Sequence, residues 1–108
     1  MSDRTMLKFS SEDCGVCFQM ARFDHKIAAE LGMDFVEVKL QDAAAYRKYR
    51  KILMQQVPDK ADMGWPTYIA VDDPEGDFAV LGMVKGGHHK GAFREAWQAL
   101  LAGVPEAP

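Results

Sequence analysis

The stretch Ser10-Ser11-Glu12-Asp13-Cys14-Gly15-Val16-Cys17-Phe18 contains both cysteines of this 108-residue chain, three positions apart. Two cysteines scattered at random would take that spacing roughly 2% of the time, so it wants a reason. A disulfide scaffold does not supply one, because a bridge closing so short a loop removes little chain entropy. A structural zinc site usually needs four ligands, and no second pair stands at finger spacing: His25 is eight residues past Cys17, and His88-His89 are remote. Redox chemistry is the economical reading. A cycling dithiol needs one exposed thiolate and a second thiol one helical turn away. A helix starting at Cys14 supplies both, with its dipole and unpaired N–H groups on the Cys14 thiolate and Cys17 on the same side.

Downstream of the pair, Val16, Met20, Phe23, Ile27 and Leu31 form an apolar stripe of helical period. They predict one continuous helix that Gly32 stops. Upstream, Thr5-Met6-Leu7-Lys8-Phe9 reads as a buried strand, and residues 35–40 alternate well enough for another. Asp42 is an N-cap for a helix over about 43–57, which Pro58 ends. Its inward side is Tyr49, Ile52, Leu53 and Val57, and its polar flank Arg47, Lys48, Arg50 and Lys51. A loop over 58–64 precedes Trp65-Pro66 and a strand at Thr67–Val71. The turn-rich run 72–77 then leads to an antiparallel strand from Phe78 to Lys85. After Gly86-Gly87, the residues Phe93, Ala96, Trp97, Leu100 and Leu101 mark a last amphipathic helix. The order β-α-β-α-β-β-α predicts an α/β fold: a mixed four-stranded sheet with helices on both faces. One domain is expected over 1–108, with its core at about 5–102 and a frayed tail at 103–108.

Composition limits the partners. The formal charge is −3, hydrophobic residues make up 48% and charged ones 27%, the profile of an ordinary globular chain without an electrostatic footprint for nucleic acid or anionic membrane. Tyr46 and Tyr49 interleave the Arg47–Lys51 cations, yet a solvated helix face fits the net charge better than a nucleic-acid site. No secretory profile or spanning run is read, so a soluble, cytoplasmic protein is expected, although a processed secreted form would read the same way. The acidic surface and the lack of a coiled-coil seam predict a monomer.

The C-x-x-C pair at the start of the first helix in this element order resembles the thioredoxin family. Gly64-Trp65-Pro66-Thr67, just before the third strand, stands where that family carries a cis-proline facing the cysteines, and Gly86-Gly87 where it keeps glycine beside the substrate groove. The resemblance covers about residues 5–102 and implies the minimal, glutaredoxin-sized core. It implies Cys14 as nucleophile and Cys17 as resolving thiol, with no cofactor beyond the redox-active disulfide and no metal. The backbone at Trp65, Pro66 and Thr67, with Gly86 and Gly87, would bind protein disulfide substrates. The electron donor would be a thioredoxin reductase or glutathione. The chain departs from the pattern at Gly15-Val16 between the cysteines and at Asp13, where thioredoxins usually have tryptophan. Lys8 stands where many thioredoxins place a buried acid that helps move the proton of the deeper cysteine.

Two influences oppose each other at Cys14: the helix N-terminus and Lys8 lower its pKa, while Glu12 and Asp13 raise it. Lys8 reads first as a strand residue snorkelling its charge to solvent, and otherwise as a catalytic neighbour. Trp65 is either substrate platform or core filler. His88 and His89 read as exposed loop residues before a role in proton transfer or metal capture. His25 reads as solvated and Trp97 as core. A glutathione-dependent, glutaredoxin-like reductase is the enzyme alternative, though no basic residue stands beside Trp65-Pro66-Thr67. A metal or iron–sulfur module, or a redox-inert interaction module of this fold, is the alternative of another class.

Overall fold

A computed structural model of the chain describes residues 4–59 and 64–103. In it all six residues of the first strand, β1 (Thr5–Ser10), are buried, as suits a strand with neighbours at both edges and helices on both faces. Two helices follow, α1 (Gly15–Met20) and α2 (Asp24–Glu30), then β2 (Asp34–Lys39) and α3 (Ala43–Gln56). The chain continues through β3 (Thr67–Asp72), β4 (Ala79–Lys85) and α4 (Lys90–Ala102). The sheet order is β2-β1-β3-β4, with β1 parallel to β2 and antiparallel to β3, and β4 antiparallel to β3. This is the mixed four-stranded α/β sheet that the sequence predicts. Parts of two expected segments, the loop at 60–63 and the tail at 104–108, lie outside the described residues.

Alternation along β1 builds one core on each side of the sheet. Met6 faces α1, α2 and α4, where it joins Met20, Ile27, Ala28, Tyr68, Phe93 and Trp97. Leu7 and Phe9 face α3 and join Val38, Ile52, Leu53, Ile69 and Val71. Each fully buried apolar side chain of this kind contributes about 1.5–3 kcal/mol. Phe93 sits between Tyr68 and Trp97 in edge-to-face contacts, with ring centroids 4.8 and 6.4 Å away. Asp42 caps α3 as read, its side chain accepting from the Ala45 N–H at 3.2 Å, and Gly32 follows α2 with φ +76°.

The single long helix expected from Cys14 to Leu31 is broken. At Ala21–Phe23 the bonds tighten: Arg22 N–H reaches Gln19 O at 3.3 Å and Phe23 N–H reaches Met20 O at 3.1 Å, before α2 resumes with Ile27 N–H to Phe23 O. Bonds to the third residue back overwind the chain between α1 and α2. Met20 and Ile27 stay in the core, whereas Val16, read as part of the buried stripe, is 42% exposed.

Candidate active site

Cys14 and Cys17 are joined by a disulfide, with their Cα atoms 5.2 Å apart. Cys14 is the N-cap of α1 in extended conformation, and its Sγ accepts the Cys17 backbone N–H at 3.1 Å. An N–H aimed at that sulfur stabilises negative charge there. Cys14 is half-buried while Cys17 is buried, which gives the pair an outer and an inner sulfur. Asp13 and Gly15 are exposed. The preceding loop is tied down by Gln41, which accepts from Glu12 N–H at 3.0 Å and donates to Ser11 Oγ at 3.0 Å.

Beneath the inner cysteine lies a buried polar network. The expected snorkelling of Lys8 is wrong: its side chain is 1% exposed, and its Nζ donates to the Cys17 carbonyl at 2.8 Å and pairs with Asp24 Oδ2 at 2.7 Å. The central strand leaves an ammonium no path to water, so a carboxylate has to come to it. Asp24 supplies that carboxylate from the first turn of α2. Asp24 Oδ2 also accepts the Tyr68 hydroxyl at 2.9 Å, and Asp24 Oδ1 accepts the His25 N–H at 2.6 Å. Burial, and after it the Asp24 charge, push the Tyr68 phenol far above its usual range and keep it a donor. Glu37 flanks the group, 3.8 Å from Lys8 Nζ and accepting from Ser10 Oγ at 2.9 Å. His25 is exposed, as expected, with its Nδ1 3.3 Å from Asp24 Oδ1 and its ring edge-on to Phe35. Asp24 and Tyr68 escape sequence reasoning, although a lysine inside an apolar central strand is itself the signal that a buried acid must exist.

The glycine and proline positions come together in pairs. The Trp65–Pro66 peptide bond is cis, and the Pro66 carbonyl accepts the Gly86 N–H at 2.8 Å, with Gly86 at φ +78°. Thr67 is buried and donates through Oγ1 to Gly64 O at 2.7 Å. A Cβ on Gly87 would lie 2.6 Å from Val16 Cγ1, so the absence of a side chain lets the C-x-x-C loop close onto the end of β4. Trp65 is half-buried against the α3-side core. His88 and His89 are exposed; the His88 N–H points at Met20 Sδ, 3.4 Å away, and its Nε2 lies 3.0 Å from Lys85 O. Trp97 is fully buried, as read.

Neither the protein-family models nor the curated proteins contain a match to this chain. Solved structures do resemble it. Thioredoxin from Trypanosoma brucei brucei superposes over 92% of this chain and 75% of its own, with a TM-score of 0.58 and 23% identity. Thioredoxin f from spinach chloroplast, short form, gives 92% and 77% coverage with a TM-score of 0.58 and 23% identity. Thioredoxin f2 from Chlamydomonas reinhardtii gives 99% and 84%, with a TM-score of 0.59 and 17% identity. At such identities the likeness is one of architecture: this chain has the thioredoxin-like fold.

Proposed function

We propose that the protein is a thiol–disulfide oxidoreductase that reduces protein disulfides through a Cys14–Cys17 dithiol cycle. The observation that carries this reading is the Cys14–Cys17 disulfide itself, with an outer sulfur that accepts the Cys17 N–H and an inner, buried one. In the reduced protein the Cys14 thiolate attacks one sulfur of a substrate disulfide. A Cys14–substrate mixed disulfide forms, and the first substrate sulfur leaves as a thiolate that takes up a proton. Cys17 then gives up its proton and attacks Cys14 Sγ. The second substrate thiol departs and the Cys14–Cys17 disulfide remains. Two electrons have passed to the substrate, together with one proton from Cys17 and one from solvent. An external thiol donor, a thioredoxin reductase or glutathione, returns the pair to the dithiol.

Cys14 is the nucleophile and Cys17 the resolving thiol. The backbone at Trp65, Pro66 and Thr67 pairs with the substrate chain, and Gly86 and Gly87 keep the neighbouring surface low enough for it to approach. Lys8 and Asp24 act as positioning residues that hold the inner end of the disulfide through the Cys17 carbonyl. The protein works as a cytoplasmic monomer of one domain.

Turnover of a protein disulfide such as insulin tests the reading. Cys14→Ser abolishes reduction, and Cys17→Ser accumulates a Cys14 mixed disulfide visible by mass spectrometry. Full reductase activity in Cys14→Ser would end the proposal.

A further inference from the structure

Next to Val16 an open groove of about 480 Å³ runs between the α1–α2 turn and the residues that lead into α4. Its charge is one-sided. Arg22 and Lys90 are cationic, His88 and His89 are two of the chain's three histidines, and no Asp or Glu is among the lining residues. The chain as a whole carries −3, so this is a positive island on an acidic protein. Glu30, whose field reaches Lys90, already has both its carboxylate oxygens taken by Arg94, at 2.8 and 3.1 Å. The Arg22 guanidinium has no acidic partner among the described residues.

Position gives this charge a use. Val16, between the two cysteines, forms one wall of the groove, and Phe23 forms part of another. Val16 follows the outer cysteine by two residues, and Val16 and Phe18 are large apolar side chains left exposed on α1. An apolar wall two residues along the chain from Cys14, with two cations in the same groove, matches a polypeptide that presents a half-cystine, an apolar side chain and then carboxylates.

We propose that this groove docks an acidic segment of the substrate protein adjoining its target disulfide. Its Asp or Glu side chains lie on Arg22 and Lys90, and an apolar side chain rests on Val16 and Phe23. The inference rests on the disulfide-reductase reading and adds the class of substrate. Bidentate geometry favours Arg22 as the main carboxylate anchor.

The test uses the full chain, pre-reduced, in single turnovers with no other reductant, quenched in acid and read by mass spectrometry. Two disulfide-linked peptides of equal length carry either Asp-Glu or Lys-Lys beside one half-cystine. At low salt the acidic peptide reacts about tenfold faster than the basic one, and the ratio shrinks as salt rises. In R22E/K90E the ratio inverts, and in R22Q/K90Q it falls close to one. R47E/R50E makes the same change in net charge on the exposed face of α3 and keeps most of the preference. Equal rates for the two peptides with wild type, or equal loss of preference in the α3 control, would overturn the groove. Faster reduction of oxidised glutathione than of the acidic peptide would overturn it in favour of a small carboxylated thiol. If neither peptide nor neutral hydroxyethyl disulfide is reduced, the reductase reading itself has failed. The groove is then judged on a cysteine-free acidic peptide, which shifts the amide resonances of Val16, Gly87 and Lys90 if it docks and leaves them unmoved if the proposal is wrong.

Discussion

The Nζ of Lys8, buried on the central strand, lies 2.8 Å from the carbonyl oxygen of Cys17, so the inner half of the disulfide is held from below by an ammonium group. That carbonyl also accepts the Ala21 N–H at 3.1 Å. It is therefore shared between the helix and the strand. Asp24, 2.7 Å from the same Nζ, compensates the buried charge from the first turn of α2. Strand, both helices and the redox pair are joined at one point.

Removing one partner of this pair strands the other in the core. Lys8→Met leaves the Asp24 carboxylate without its cation, and urea unfolding shows a loss of about 3–5 kcal/mol. Asp24→Asn leaves Lys8 only the longer carboxylate contact at its Nζ, to Glu37 at 3.8 Å. K8M/D24N contains neither charge and recovers part of the loss, with a coupling of about 0.5–3 kcal/mol. Strictly additive losses would mean that the two residues do not act as a unit.

Backbone conformation separates two glycines. Gly86 has φ +78°, so Gly86→Ala costs about 1–2 kcal/mol in unfolding free energy. Gly91 lies in α4 with open space where a Cβ would stand, so Gly91→Ala gains about 0.4–1 kcal/mol. Thermal unfolding of both variants checks the opposite signs.

Contact between Gly87 and Val16 predicts a repairable lesion. A methyl group on Gly87 pushes on Val16 Cγ1 from 2.6 Å. Val16 is exposed enough to turn away, so the stability loss in Gly87→Ala falls below the ~1–3 kcal/mol of an overpacked closed core. Protein-disulfide reduction drops severalfold, and G87A/V16A restores most of it. Rates unchanged in Gly87→Ala would remove Gly87 from the substrate path.

The Arg94 guanidinium, hydrogen-bonded to Glu30, holds that carboxyl below its usual value of 4.5. A depressed acid adds stability above its unfolded value and loses it as pH falls through the folded one. Arg94→Gln is therefore slightly less stable than wild type at pH 7, by an amount that shrinks with salt and vanishes below the carboxylate range. Unfolding midpoints measured from pH 7 to pH 2 follow this; a gap that widened toward acid would contradict it.

Local signals carried the architecture. An apolar run marks β1, Asp42 and Pro58 bracket α3, and Gly32 ends α2, each through backbone chemistry that acts within a few residues. The break at Ala21–Phe23 leaves no such mark, because Met20, Phe23 and Ile27 line the same side whether the helix is straight or overwound. The Lys8–Asp24 pair joins residues sixteen positions apart that meet only when α2 packs on the sheet. Spacing identified the cysteine pair, but only folding brings Arg22 and Lys90 to one groove beside Val16.

Equilibrating the full chain against a graded series of reduced and oxidised glutathione, with thiol trapping and mass spectrometry, tests the dithiol cycle most directly. A cycling pair gives one reversible two-electron transition between free thiols and an intramolecular Cys14–Cys17 disulfide, centred near the ~−270 mV of a disulfide reductant. A midpoint above about −180 mV would make the protein an oxidant, and failure to form that disulfide at any ratio would contradict the cycle altogether.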